Sequence, residues 1–205
     1  MPEIARVLMW VTGSCLVTEL LAYWLHRLLH SGRIGFLSRN HMKHHLVIYG
    51  PAQNQRSTEY KDATTESVSL GNIGLEWLIP SALLLASAIA AFHFLHVSLA
   101  CQLVALGASL LWGFLMFSYL HDVMHVDGYW LEKNRWLRNW FTSARKLHDI
   151  HHQVVNPDGF MDKNFGIGFF FFDRLFGTLC PERQTLDKAG YKKAIERFSV
   201  LWRNP

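Results

Sequence analysis

The chain has 205 residues, half of them hydrophobic, and its 20 Lys and Arg outnumber its 16 Asp and Glu for a net charge of +4. That length suits one domain. The excess of positive charge fits attraction to anionic lipid headgroups, whereas no basic stripe interleaved with aromatics suggests nucleic acid.

In chain order, Val7 to Leu25 form nineteen residues broken only by Glu19. The charged lead before them is minimal, Glu3 and Arg6, and no small-residue cleavage site follows. The run passes directly into His26 and His30, so it reads as a retained membrane helix rather than a signal peptide. A polar stretch from 31 to 70 comes next, with "NHMKHH" and the turn signal "YGPAQN". Between Trp77 and Leu120 lie 44 residues without one Asp, Glu, Lys or Arg. As a single helix they would be ~66 Å long, about twice the hydrocarbon thickness of a bilayer. Two spans joined at "FHFLHV", residues 92–97, fit better. Beyond Leu120 the charges return, residues 129–152 read as an amphipathic surface helix, and "NPDG" predicts a turn. Cys15, Cys101 and Cys180 are widely separated and predict free thiols. No repeat or low-complexity linker divides the chain. The expectation is an all-α integral membrane domain over residues 1–205, with about three or four membrane helices and a cytoplasmic helical cap.

Nineteen of the twenty Lys and Arg lie between Arg27 and Lys61 or from Lys133 onward. By the positive-inside rule the N-terminus then faces out and the bulk of the chain faces the cytoplasm. The histidines agree with that topology. Ten of twelve form four tight groups: His26 and His30; His41, His44 and His45; His121 and His125; His148, His151 and His152. Spacings of three and four put each group on one helix face, and the topology brings all four to the cytoplasmic surface. His93 and His96 are left on the other side.

Ten convergent imidazoles imply a cation, since neutral imidazole suits zinc, copper, iron or nickel. Calcium and magnesium would want carboxylates these groups lack. Ten ligands exceed one site and fit two metals with about five each. A transition-metal transporter is the rival from another class, although transport sites sit near mid-membrane between repeats. A b-type cytochrome would use only one or two histidines as axial ligands.

The strings "YWLHRLLH", "NHMKHH", "HDVMH", "HDIHH" and "NFGIGFFFFDRLFGT" resemble the histidine-box series of the membrane fatty acid hydroxylase/sterol desaturase superfamily, from about Tyr23 to Thr178. The third and fourth boxes are also similar to those of bacterial carotenoid hydroxylases, while the Asp173 to Thr178 ending favours the fatty acid and sterol branch. The resemblance implies a membrane non-haem di-iron oxygenase, with all ten clustered histidines as ligands to two iron ions and zinc able to substitute in purified protein. It implies O2 as co-substrate and a lipid that is hydroxylated or desaturated. "GIG" at 166–168 is too short for a dinucleotide fingerprint. Electrons would therefore come from a separate donor, ferredoxin-like or cytochrome-like with its reductase. Lys133, Arg135, Arg138, Arg145 and Lys146 could dock it, or could simply reflect the positive-inside bias.

Other residues carry two readings each. Glu19, two turns before His26, could hydrogen-bond a ligand histidine or pack against a polar neighbour. Asp122 and Asp149 project off the ligand face, as outer partners of the site or as solvated residues. Asn164 could lie near the site or make a turn in "DKNFG"; it is not a ligand. "GFFFFDRLFG" could line a tunnel, though interface or core is the expectation. Trp112, Phe114 and Phe117 either meet an acyl chain or face lipid and other helices.

Overall fold

A computed structural model describes residues 2–51, 56–61 and 75–203. Among them the secondary structure is helical, with an isolated β-bridge between Ser57 and Val126. Helix α1 (Glu3–Ser31) runs for 29 residues, about 43 Å at 1.5 Å per residue and more than the ~30 Å of a bilayer's hydrocarbon core. It stops where Gly32 takes a left-handed φ of 68°, a conformation that a Cβ would strain. α2 (Gly35–Lys43) passes without a break into a π-helical turn, His44–Ile48.

α3 (Leu75–Phe94) and α4 (Leu99–Gly113) form the hairpin expected at 92–97. His96 turns the chain at a φ of 53°, and the Ser98 hydroxyl accepts from the Cys101 N–H at 3.5 Å to cap α4. α4 continues through a π-helical segment, Phe114–Leu120, into α5 (His121–Met124). Glu3–Ser31 and Leu99–Met124 are long and apolar enough to cross a membrane, and Leu78–Phe94 is a shorter apolar helix. Their side chains face outward: Leu8, Leu16, Val17, Leu83, Leu103 and Leu110 are all exposed. Water would not tolerate so much uncovered apolar surface, whereas lipid solvates it.

The cap holds α6 (Trp130–Lys133), α7 (Arg138–Gln153), α8 (Phe171–Leu175) and α9 (Lys188–Arg203). The single amphipathic helix expected over 129–152 is two helices. Asn134 breaks it: its backbone is extended, and its side-chain oxygen accepts from the N–H groups of Trp136 and Leu137. "NPDG" does turn, with Asn156 Oδ1 accepting from Asp158 and Phe160. Residues 52–54 of "YGPAQN" lie outside the described residues. In the aromatic run, Phe169, Phe171 and Phe176 are exposed, as an interface reading requires.

Two apolar clusters fix the helix ends in place. One joins Ala22 of α1 to Leu120, Val123 and Met124, and to Phe141 and Ala144 of α7. The other joins Met42 and Leu46 to Val155, Met161 and, on α9, Ala194 and Phe198. Both include residues close to the histidines in sequence, Leu120, Val123 and Met124 in the first and Met42, Leu46 and Val155 in the second.

Candidate metal centre

Four segments deliver the ten histidines. The last turns of α1 carry His26 and His30; α2 and its π turn carry His41, His44 and His45. α5 and its end carry His121 and His125, and α7 carries His148, His151 and His152. Nine are buried and His121 is half-buried. They meet in two groups able to hold an ion: His26, His30, His41, His45 and His151, and next to it His44, His121, His125 and His152. His148 adjoins the second, its Nε2 3.0 Å from that of His125.

The sequence triplets straddle both groups, so the expectation that each box points one way holds only for the two pairs. In α2 and its π turn, His41 and His45 go together and His44 crosses over; in α7, His148 and His152 go together and His151 crosses over. The i, i+4 partners stay on one face, and the residue between them turns about 100° away at 3.6 residues per turn. One helix therefore feeds two sites.

The ring nitrogens converge as donors do around a shared ion. His41 Nε2 is 2.9 Å and His151 Nε2 is 3.1 Å from His30 Nε2, and His44 Nε2 is 3.1 Å from His125 Nε2. Two nitrogens each ~2.1 Å from one metal, at about a right angle, stand ~3 Å apart. The outer nitrogens are tied off. His26 Nδ1 donates to the Phe165 carbonyl at 2.6 Å, His151 Nδ1 to Lys163 at 2.6 Å, and His152 Nδ1 to Tyr49 at 3.1 Å. His121 Nδ1 donates to the Asp122 carboxylate at 3.3 Å. Each bond puts the proton on Nδ1 and the lone pair on Nε2, the arrangement that metal-bound histidines use.

A metal fits these residues energetically too. Both ring nitrogens of His45, and Nε2 of His121 and His152, are buried with no hydrogen-bond partner among the described residues. Each such atom costs about 1–3 kcal/mol, so four cost roughly as much as the whole 5–15 kcal/mol stability of a typical domain. Protons do not relieve His45 and His152. Burial first, then the neighbouring imidazoles, hold His41, His44, His45, His148 and His152 well below the usual histidine range. His151 is lowered by burial to about 4. A bound metal, worth ~10 kcal/mol or more at a structural zinc site, would offset a deficit of that size.

The outer supports come from backbone that histidine spacing does not reveal. Lys163 and Phe165 supply their carbonyls from either side of Asn164, which takes a left-handed φ of 56°. Its side chain donates to the Leu147 and Cys180 carbonyls and accepts from the Cys180 N–H. Asp173 clamps the same segment, accepting from Phe165 N–H, Gly166 N–H and the Thr178 hydroxyl. Gly166 is needed there, because a Cβ would fall 2.2 Å from the Phe169 carbonyl oxygen. Tyr49, also missed by the spacing argument, stacks on His125 with centroids 4.0 Å apart. Only the "NFG" and "DRLFGT" strings hinted at this layer.

The structure decides between several of the paired readings. Glu19 accepts a 2.8 Å hydrogen bond from the Trp112 indole and so ties α1 to α4, the packing reading. Asp149 is buried rather than solvated, paired with Arg56 and, at 3.7 Å, with Arg183. Asp122 is buried on His121. Arg145 is buried against Glu132, the Val123 and Val126 carbonyls and the Phe141 ring, so it offers nothing to a docking partner. Lys133, Arg135, Arg138 and Lys146 are exposed, as are His93 and His96 at the far end of the hairpin.

A cavity of about 640 Å³ lies between α1, α3 and α4, with no charged side chain in its lining. Its inner end is formed by Ala22, Leu25, Phe117 and Ser118, within about one helical turn of His26 in the first group and His121 in the second.

Membrane-length helices ending on buried, convergent imidazoles define the class: a helical membrane protein with a site able to bind metal. The sequence matches the fatty acid hydroxylase family over residues 11–178, a span that includes all ten clustered histidines, Asn164 and Asp173. The chain belongs to that family, which is membrane-bound and implies an oxidoreductase. No curated protein and no solved structure matches it.

Proposed function

We propose that the protein is a di-iron oxygenase that hydroxylates, or desaturates, an unactivated C–H bond of a membrane lipid. His26, His30, His41, His45 and His151 would hold one iron, and His44, His121, His125, His148 and His152 the other. The observation that carries the reading is the pairing of two adjacent, buried, all-imidazole groups in one small site. For hydroxylation the balance is one C–H bond and O2 taken up with two electrons and two protons, giving an alcohol and water. When bound, the iron pair supplies the electrons that activate O2, which imidazole alone cannot do. The chain's own residues do the rest. The Phe165, Lys163 and Tyr49 carbonyls orient three of the rings, burial excludes water, and the apolar cavity leads hydrocarbon rather than a cation to the site.

The clustering of Lys and Arg after Arg27 and after Lys133 supports a cytoplasmic site with the N-terminus outside. Electrons would come from a separate ferredoxin-like or cytochrome-like donor, for which Lys133, Arg135, Arg138 and Lys146 offer an exposed basic face. Zinc competes well for imidazole and would occupy the same ligands in protein purified without iron.

The test is a comparison of lipid extracts by mass analysis from cells making the protein or its His152→Ala variant, grown under ¹⁸O2. The expected result is a lipid 18 mass units heavier than its parent after ¹⁸O insertion, or 2 units lighter after desaturation, with the intact protein only. Identical extracts, alongside metal-loaded protein supplied with reductant, would contradict the proposal.

A further inference from the structure

We infer that Tyr23 is a redox-active residue. When O2 oxidises the metal pair with no lipid in place, Tyr23 gives the pair one electron by way of the Phe165 ring and passes its phenolic proton through Thr178 to Asp173. This rests on the oxygenase reading, which supplies the oxidant.

The electron side is a path of rings in contact. Phe165 packs edge to face against three of the five rings in the first histidine group, His26, His30 and His151, at centroid distances of 5.6, 5.7 and 5.6 Å. It meets Tyr23 in the same way at 5.8 Å. Tyr23 therefore stands one ring away from the ligands. Its own ring and that of Phe165 are buried, so water does not reach a radical held there.

The proton side has a fixed direction. The Tyr23 hydroxyl lies 3.0 Å from Thr178 Oγ1, and the Thr178 hydroxyl donates to Asp173 Oδ1 at 2.7 Å. A hydroxyl carries one hydrogen. That of Thr178 is committed to Asp173, so Tyr23 must be the donor to Thr178. On its other side the Tyr23 oxygen accepts from Arg27 Nη1 at 3.4 Å. The chain thus runs from Tyr23 to Asp173 in steps within the reach of proton transfer, through side chains that are all buried. Burial pushes the Asp173 carboxyl above the usual carboxylate range, which makes it a readier acceptor.

The step balances. The Tyr23 O–H bond breaks and its proton goes to the Thr178 oxygen, while the Thr178 O–H bond breaks and that proton goes to Asp173. The products are a neutral Tyr23 radical, a protonated Asp173 and a metal pair holding one electron more. An electron from the external donor resets Tyr23, and the proton returns along the same hydrogen bonds. With no lipid to oxidise, the buried imidazoles are otherwise the nearest targets of the oxidant.

Tyr49 is the rival. It stacks directly on His125 at 4.0 Å, and its oxygen accepts from the Lys61 N–H at 2.7 Å. The directed chain to a buried carboxylate is what favours Tyr23.

The test uses full-length protein in amphipol without added lipid, loaded with ferrous iron in the absence of air, mixed with O2 and frozen at intervals. Electron paramagnetic resonance reads the radical, and iron content, iron oxidation state and melting temperature are measured on the same samples. The wild type is expected to form a tyrosyl radical whose signal narrows in protein carrying ring-deuterated tyrosine. Tyr23→Phe should abolish it and Tyr49→Phe should leave its yield unchanged. Thr178→Val should slow its appearance by roughly 100-fold, the lower end of what a positioned proton acceptor contributes, and Thr178→Ser should restore it. A tyrosine that only anchors α1 to the cap would give the same hydrogen bond and no radical. Should Tyr23→Phe lose its metal, the Tyr49→Phe, Thr178→Val and Thr178→Ser samples decide. Iron oxidised by O2 with no tyrosyl radical, or a radical that survives Tyr23→Phe, ignores Thr178→Val or vanishes in Tyr49→Phe, would overturn the inference and leave the oxygenase reading standing. Iron that binds but is not oxidised by O2 would overturn both.

Discussion

His45 and His152 stack ring on ring, centroids 3.9 Å apart and planes 26° from parallel, although one belongs to the first histidine group and the other to the second. That contact is the seam of the site, and it would make ions bound in the two groups near neighbours rather than independent centres.

Replacing either residue should therefore cost one ion directly and loosen the other. His45→Ala and His152→Ala are each expected to fall from about two metals per chain to one or fewer, and to lose oxidation by well over the ~100-fold that an outer-layer change gives. His93→Ala, at an exposed position on the hairpin turn, should change metal content not at all and stability by less than about 0.5 kcal/mol. Metal analysis beside oxygen-dependent turnover reads both; equal losses at His93 and His152 would mean that the two positions are not distinguished by the site.

Asn164 links the carbonyls that hold His26 and His151, so its loss should appear as weaker metal binding. Asn164→Ala leaves the Leu147 and Cys180 carbonyls short of a donor and strains the left-handed backbone. Metal affinity should drop about 10–100-fold, and the melting temperature should fall as well. Asn164→Gly relieves the backbone. It should recover part of the melting temperature while leaving most of the affinity loss. Chelator competition with thermal unfolding separates the two effects, and unchanged affinity in both variants would remove Asn164 from the support of the site.

Acid should strip the metal and weaken the fold together. The unfolded chain's histidines take up protons near their ordinary value of 6.5, whereas His151 in the fold does so only at about 4, and His41, His44, His45, His148 and His152 are also held low by burial. Between those values the unfolded state binds more protons, so stability rises with pH. The contribution is complete above about 6.5 and is lost as pH falls toward 4. Metal retention and melting temperature measured from pH 7.5 to 4 should decline in step across that window. A flat profile would mean these rings are open to protons in the fold.

Much of the architecture was legible because hydropathy and histidine spacing are independent signals that agree. The uncharged run from Trp77 to Leu120 exceeds what one bilayer crossing can use, and the structure turns it at Phe94 to Ser98. Histidine spacing brought ten imidazoles to one place but could not divide them, since the allocation of His44 and His151 depends on where neighbouring helices stand. Backbone carbonyls carry no sequence signature, which hid Tyr49, Lys163 and Phe165. The break at Asn134 turns on a side chain capping its own neighbours, a local competition that the amphipathic pattern of 129–152 masks.

Arg145 illustrates the same limit and gives its own prediction. It sits in a basic run yet is buried on Glu132 and two carbonyls. Arg145→Ala should cost about 2–3 kcal/mol, less than the roughly 3–5 for breaking a fully buried pair because Glu132 keeps some access to water. Lys146→Ala, at an exposed neighbour, should leave stability unchanged and weaken electron transfer from the donor at low ionic strength if the basic face docks it. Chemical unfolding and salt-dependent turnover of the two variants distinguish a structural arginine from a docking lysine.

Iron-edge X-ray absorption on iron-reconstituted protein tests the central claim most directly. The account predicts two irons per chain, each in a shell of about five nitrogens with the outer-ring scattering of imidazole, and a second iron as a near scatterer. A single iron, or a coordination shell without imidazole, would contradict it.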